Sequence, residues 1–188
     1  MRIVSGKYKG MIVPIIKNAT YRPTTGKLKE AIFSILSSGT IAELDGANVL
    51  DLFTGTGSLA FEALSRGANF VLGIDREANH IKACKEFATK LSEQDNINFL
   101  VSDATNLPNA QKQYDIIIID PPYFHNMADK TIISLHNKGW LNHGAILMIE
   151  VGRKEDVKIP EYYTLLDERI YGNTKLIILR YEANLIEQ

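Results

Sequence analysis

The chain has 188 residues, 45% of them hydrophobic and 23% charged, with a formal net charge of −1. That length suits one domain with a sizeable core, and the composition is that of a globular protein rather than a disordered one. A single cysteine, Cys84, excludes an intramolecular disulfide, no apolar run is long enough to cross a membrane, and His80, His125, His136 and His143 form no close ligand pair. A disulfide scaffold, an integral membrane protein and a metal centre are therefore not expected, and a reducing cytoplasm is.

Charge is unevenly spread. Residues 1–30 carry seven basic side chains (Arg2, Lys7, Lys9, Lys17, Arg22, Lys27 and Lys29) against one acid, Glu30, so the remainder holds a surplus of seven negative charges. A basic end on an acidic body is the footprint of phosphate contact, although a solvated tail looks the same. Arg2 to Pro14 alternates around Ser5-Gly6 and Lys9-Gly10, which predicts a small β-hairpin or a pair of edge strands. Met1 to Gly10 is polar and basic and has no signal-like core. Tyr21-Arg22-Pro23-Thr24-Thr25 leads into a helix marked by Leu28, Ala31, Ile32 and Ile35, with Thr24 or Thr25 as N-cap.

Val49 to Phe53 then reads as a buried strand, Gly55 and Gly57 as a tight turn, and Ser58 to Arg66 as a helix with Leu59, Ala60, Ala63 and Leu64 at helical spacing. Phe70 to Ile74 is a second strand ending in Asp75, Glu77 to Leu91 a helix, and Ile97 to Val101 a third strand followed by Ser102-Asp103-Ala104. Tyr114 to Ile119, with four consecutive isoleucines, is the most apolar strand; such unbroken β-branched runs belong to sheets covered on both faces. Met127 to Lys138 is a helix and Ala145 to Val151 a fifth strand. Tyr162 to Glu168 and Lys175 to Tyr181 form a closing antiparallel pair around Tyr171-Gly172-Asn173. The alternation predicts an α/β fold: a doubly wound, Rossmann-like sheet, mostly parallel, with an antiparallel carboxyl-terminal strand and a small amino-terminal hairpin and helix extension. The expected division is residues 1–40 as the basic extension and 41–188 as the catalytic domain.

Ligands of such sheets bind beyond the carboxyl ends of the strands. Asp51, Asp75, Asp103 and Asp120 fall at or just after four successive strand ends. A single terminal Asp often only caps the next helix; four at one edge make a site. Gly55-x-Gly57-x-x-Ala60 nominally fits a dinucleotide fingerprint, with Asp75 as the downstream acid. Asp51 argues against that reading, since a carboxylate facing the cofactor repels a pyrophosphate but holds the ammonium and sulfonium of S-adenosylmethionine. Asp75 can accept the ribose hydroxyls and Asp103 the adenine amine, with the backbone of Ala104 at the ring edge. In Asp120-Pro121-Pro122-Tyr123, two prolines end the strand sharply and fix carbonyls toward the cleft. The amine of a nucleobase is a poor nucleophile because its lone pair is delocalised. A carboxylate and a carbonyl accepting its N–H bonds orient that lone pair, and Tyr123 can stack on an extracted base.

Asp51-Leu52-Phe53-Thr54-Gly55-Thr56-Gly57-Ser58-Leu59, together with Asp120-Pro121-Pro122-Tyr123, resembles the class I S-adenosylmethionine-dependent methyltransferases that act on amino nitrogens. The stretches Arg2 to Gly10, Arg22-Pro23-Thr24-Thr25, Glu62 to Ala68 and Gly139-Trp140-Leu141 make it similar to the bacterial 16S rRNA guanine-N2 methyltransferases of the RsmD type. The resemblance spans most of the chain. It implies a cytoplasmic, monomeric enzyme that uses S-adenosylmethionine, releases S-adenosylhomocysteine, needs no metal or membrane, and acts on 16S rRNA, free or within an assembling small subunit. The expected cofactor residues are Asp51, Phe53, Gly55, Gly57, Asp75, Arg76, Asp103 and Ala104; the catalytic ones are Asp120, Pro121, Pro122 and Tyr123. Phosphate contact is expected from Arg2, Lys7, Lys9, Arg22, Thr24, Lys27 and also Lys29.

The sequence departs from that family at three places. Gly26 stands where Asp is usual, Thr54 and Thr56 replace Ala and Ser in the glycine loop, and Phe124-His125-Asn126 lacks a basic residue after the catalytic turn. Asp-Pro-Pro-Tyr is shared with adenine N6 methyltransferases, so it fixes amine chemistry without fixing the base. Competing readings are a DNA or protein amino-methyltransferase of the same fold, a non-catalytic RNA-binding assembly factor, and, least favoured, a dehydrogenase.

Overall fold

The computed structural model describes residues 1–14, 26–122 and 127–183. The elements in chain order are α1 (Gly26–Ser37), β1 (Asn48–Leu52), α2 (Ser58–Ser65), β2 (Phe70–Asp75), α3 (Ala78–Lys90) and β3 (Ile97–Val101). Then come β4 (Tyr114–Ile119), α4 (Met127–Asn137), β5 (Leu141–Gly152), β6 (Tyr163–Tyr171) and β7 (Thr174–Tyr181). They build one seven-stranded sheet in the order β3-β2-β1-β4-β5-β7-β6. The strands β3, β2, β1, β4 and β5 are mutually parallel, while β7 runs antiparallel to both β5 and β6. The expected doubly wound sheet with an antiparallel carboxyl-terminal strand is thus the observed one. The reversal of strand order lies between β1 and β4, which places the ligand crevice at their carboxyl ends.

Alternate residues of the central strands divide between two cores. Val49, Ile116, Ile118, Ile146 and Met148 face one side, where α1, α2 and α3 cover them. Leu50, Leu52, Ile117, Ile119, Leu147 and Ile149 face the other, against α4 and Trp140. Both faces are dry, which is why β4 can be almost wholly isoleucine. The fifth strand begins at Leu141, four residues before the sequence suggests. Asn142, His143 and Gly144 break the apolar run there, and the pairing with β4 shifts register between Tyr114 and Ile116.

The amino-terminal hairpin is closed by a single antiparallel bridge, Arg2 to Ile12, with Ile3 N–H donating to the Met11 carbonyl at 2.9 Å. It forms no longer ladder because the backbone N–H groups of Val4, Ser5, Lys7 and Tyr8 turn to α2 instead. Val4 and Ser5 donate to the Glu62 carboxylate at 2.8 and 3.0 Å, Lys7 to the Ser65 carbonyl at 2.7 Å and Tyr8 to Ser65 Oγ at 2.9 Å. Gly6 makes this approach possible: at φ +80° a Cβ there would lie 1.7 Å from the Ser65 carbonyl oxygen. Every residue of α2 from Ser58 to Ser65 is buried, since sheet and arm cover opposite sides of it.

Candidate functional site

β1 delivers Asp51 to the carboxyl edge of the sheet, and the turn after it is built around that carboxylate. Asp51 is buried and accepts from Thr54 Oγ1 at 2.5 Å and from the Ala60 N–H, in the first turn of α2, at 3.1 Å. Thr54 extends the sheet pairing by donating its N–H to the Ile74 carbonyl at 3.0 Å, and Gly57 N–H closes the turn on the Thr54 carbonyl at 2.7 Å. Phe53 and Gly55 both take positive φ, +61° and +53°. A Cβ on Gly55 would enter open space, 3.8 Å from its nearest neighbour, the Phe53 carbonyl oxygen. One on Gly57, at φ +76°, would strike the Phe61 ring at 2.9 Å and Cys84 Sγ at 3.0 Å. The two glycines therefore do different work. Gly55 leaves backbone open at the crevice, and Gly57 lets α2 pack on α3.

Asp75 ends β2. One carboxylate oxygen accepts from Gly55 N–H at 2.8 Å and lies 3.4 Å from His80 Nδ1, and the other accepts from Glu77 N–H at 2.9 Å. This acid thereby fixes the glycine loop of one unit to the start of α3 in the next. Asp103 follows β3 and accepts from Thr105 N–H at 2.8 Å and Thr105 Oγ1 at 2.7 Å, capping a short 3-10 turn over Ala104–Asn106. Those hydrogen bonds, with the charges of Arg76 and Lys130 adding to them, hold its carboxyl below the usual carboxylate range. Ala104 is buried, while Arg76 is exposed and pairs with Glu77 at 3.3 Å. Asp120 is the first residue beyond β4; Pro121 is buried and Pro122 exposed.

Two of the other strand-end acids bear on Asp51. Burial pushes the Asp51 carboxyl up to about 7, and the negative charges of Asp120 and Asp75 add to that rise against the opposing bonds from Thr54 and Ala60. The Cys84 thiol is likewise pushed up, mainly by burial and then by Asp51 and Asp75, and its Sγ lies 3.6 Å from the Gly55 carbonyl oxygen. It is a packing thiol. Asp103 stands apart from this group, with Arg76 as its charged neighbour. A strand edge where the charges of Asp120 and Asp75 both bear on Asp51 disfavours an anion and favours a cation. Among the described residues, no group of three or more His, Cys, Asp or Glu side chains is placed to hold a metal ion, and no helix is long and apolar enough to cross a membrane.

On the basic side, Arg2 and Lys9 are exposed. Lys7 is exposed too, but its ammonium is 2.6 Å from Glu93, which also receives the Tyr8 hydroxyl. The expectation for Lys29 is overturned. It is buried, 2.8 Å from Glu62, and bonded to Ser58 Oγ at 3.2 Å and the Arg2 carbonyl at 3.4 Å, so it holds the arm to α2 and faces no phosphate. Arg22, Thr24, Tyr123 and the side chain of Lys27 lie outside the described residues, as do the expected N-cap and the Phe124-His125-Asn126 departure. Sequence reasoning missed Glu62. It accepts from Val4, Ser5, Lys29 and Arg66, and these bonds hold its carboxyl below the usual range against the opposing effect of burial. The available signal was an acid set between Phe61 and Ala63 in an apolar helix.

Residues 1–180 match the family described as conserved hypothetical protein 95. The chain is 34% identical to ribosomal RNA small subunit methyltransferase D of Haemophilus influenzae, over 92% of this chain and 89% of that one. It is 33% identical to an uncharacterized methylase of Rickettsia prowazekii, over 98% and 99% of the two chains. Among solved structures, an Escherichia coli protein described as a candidate methyltransferase superposes with a TM-score of 0.84 at 24% identity, covering 98% of this chain and 99% of that one. An RNA methyltransferase of Salinibacter ruber, solved with S-adenosyl-L-homocysteine, shares the fold with a TM-score of 0.65 at 14% identity, covering 89% and 98%.

Proposed function

We propose, because this chain belongs to the conserved hypothetical protein 95 family, the RsmD type, that it is an rRNA methyltransferase moving a methyl group from S-adenosylmethionine to the N2 amine of a guanine in 16S rRNA. The observation that carries this reading is the Asp120-Pro121-Pro122 turn directly beyond β4, next to an Asp51 carboxyl that responds to the Asp120 charge. The relatives named as small-subunit rRNA methyltransferases support the RNA substrate.

The residues present fit the cofactor. S-adenosylmethionine supplies, when bound, a methyl group activated on a positively charged sulfur. Asp51, with its carboxyl raised to about 7 in the free protein, gains a counter-charge from such a ligand and ionises more readily in its presence. Asp75 uses one acceptor position on each oxygen for Gly55 and Glu77, and an ionised carboxylate offers about four, so ribose hydroxyls still find acceptors there. Phe53, Gly55 and Gly57 shape the loop around the cofactor, and Arg76, Asp103 and Ala104 take the adenosine end.

On the substrate side, Asp120 and the Pro121 carbonyl accept the two N2–H bonds and turn the nitrogen lone pair toward the methyl group, while Pro122 and Tyr123 complete the base pocket. Asp120 would also take the N2 proton released as the amine gains the methyl group and pass it to solvent. Exposed Arg2 and Lys9, with Lys7, Arg22, Thr24 and Lys27, are assigned to phosphate contact on residues 1–40, and residues 41–188 to catalysis. The enzyme acts in the cytoplasm as a monomer, on rRNA free or in an assembling subunit. Mass mapping of small-subunit rRNA from cells lacking the protein should reveal one guanine without its N2 methyl, restored in vitro by purified protein and labelled cofactor. Complete methylation in the deleted strain would sink the reading.

A further inference from the structure

The one acid of β5, Glu150, is 3% exposed, in a strand whose neighbours Met148, Ile149 and Val151 are apolar. Register places it beside the strand-end acids described above. Ile119 pairs with Ile149, which makes Asp120 and Glu150 the next level outward on adjacent strands. Met148 and Ile146 belong to the core on the α1–α2–α3 side, and Leu176, the cross-strand partner of Glu150 in β7, belongs to it as well. Alternation therefore puts Glu150 on that side. Asp51 lies on the same side, two residues after Val49 of that core and between the oppositely directed Leu50 and Leu52, and its response to Asp120 brings the Asp120 charge to it. The carboxyl edge thus carries Asp51 on β1, Asp120 after β4 and Glu150 on β5 in lateral sequence, from the cofactor side outward.

We infer that Glu150 is a specificity-determining residue that accepts the N1–H of the target guanine while Asp120 and Pro121 hold its N2 amine. This rests on the proposed guanine-N2 reaction. Guanine presents N1–H and N2–H as adjacent donors on one edge, and neighbouring strands about 4.8 Å apart place two acceptors along such an edge. Adenine presents a lone pair at N1, which a buried carboxylate repels. The Asp-Pro-Pro turn serves either amine, so the choice of base falls to the residue beside it. A carboxylate has about four acceptor positions, so a bond to the protein leaves room for the base.

The test uses the full-length protein, labelled S-adenosylmethionine and 16S rRNA carrying either guanine or 2-aminopurine at the mapped position. 2-Aminopurine keeps the N2 amine but has a lone pair at N1. The parental protein should favour guanine by about a hundredfold in kcat/KM, the factor that loss of a hydrogen bond to a charged group carries. Glu150→Gln, which can donate to that lone pair, should cut the preference to about tenfold or less while cofactor affinity is unchanged. Equal loss on both substrates, with the ratio kept, would mark Glu150 as purely structural and overturn the inference. If the variant does not fold, parental transfer to 2-aminopurine as fast as to guanine overturns it alone. Absence of parental transfer to guanine refutes the underlying reaction, a separate and recognisable outcome that takes the inference with it.

Discussion

Lys29 Nζ lies 2.8 Å from Glu62 Oε2, and both side chains are buried between the amino-terminal arm and α2. Removing one partner of such a pair leaves the other charge without compensation, at a cost of about 3–5 kcal/mol. Glu62→Ala is expected to lose that much in urea unfolding, more than Lys29→Met, because Glu62 also receives Val4, Ser5 and Arg66. The Glu62 carboxyl is depressed in the folded protein, so its stabilisation is present above pH about 4.5 and fades as pH falls through the lower folded value. Parental unfolding curves between pH 6 and 3 should show that loss, and Glu62→Gln should flatten it.

Asp51 gives the opposite sign. Its folded carboxyl titrates at about 7 against an ordinary value of 3.8, so the folded state binds the extra proton and stability declines as pH rises between them. Cofactor affinity is expected to move the other way, rising with pH through about 7 as the carboxylate forms to meet a cation. Calorimetric titrations at pH 6 and 8 check both, and Asp51→Asn should abolish the slope while weakening binding. Equal affinity at the two pH values would remove Asp51 from cofactor recognition.

The glycines separate stability from binding. Gly57→Ala combines positive φ with a Cβ 2.9 Å from Phe61, and should cost more than the roughly 1–2 kcal/mol of left-handed strain alone. Gly55→Ala meets nothing inside 3.8 Å, so its stability loss should stay near the strain value while cofactor affinity falls. Thermal melts paired with cofactor titration distinguish the two; a Gly55 variant with parental affinity would place the cofactor elsewhere.

Asp120→Ala should abolish methyl transfer and leave cofactor binding nearly intact, since its role lies with the base. It should also lower the pH at which cofactor affinity rises, because one of the charges that lift Asp51 is gone. Single-turnover transfer with labelled cofactor, together with the binding profile, reads both effects. Transfer at the parental rate would refute the assignment.

Much of this was legible in the sequence where one force acts locally. The apolar runs of β1, β2 and β4 gave bounds good to a residue, because strands flanked on both sides by others and buried or half-buried along their length carry them. The four strand-end acids sit where the alternation of elements puts them. What escaped depended on partners distant in the chain. Lys29 looks like any basic residue until Glu62, 33 positions later, is seen to bury it. Gly57 and Gly55 are alike in the sequence, and only Phe61 and Cys84 tell them apart. Glu150 passes unremarked inside the predicted fifth strand, and its burial shows only when β4 and β7 flank it.

The arm's grip on Ser65 has a practical consequence for how this protein is dissected. The outer flank of α2 is dry because residues 3–8 lie on it, and the same eight-residue helix begins at the loop that cradles Asp51. Deleting the arm to ask whether it holds nucleic acid would bare an interior helix and take from Glu62 two of its four donors, Val4 and Ser5, so the deletion would report a disturbed cofactor loop whatever the arm touches. Neutralising Arg2 and Lys9, whose side chains point to solvent, asks the question without disturbing that scaffold.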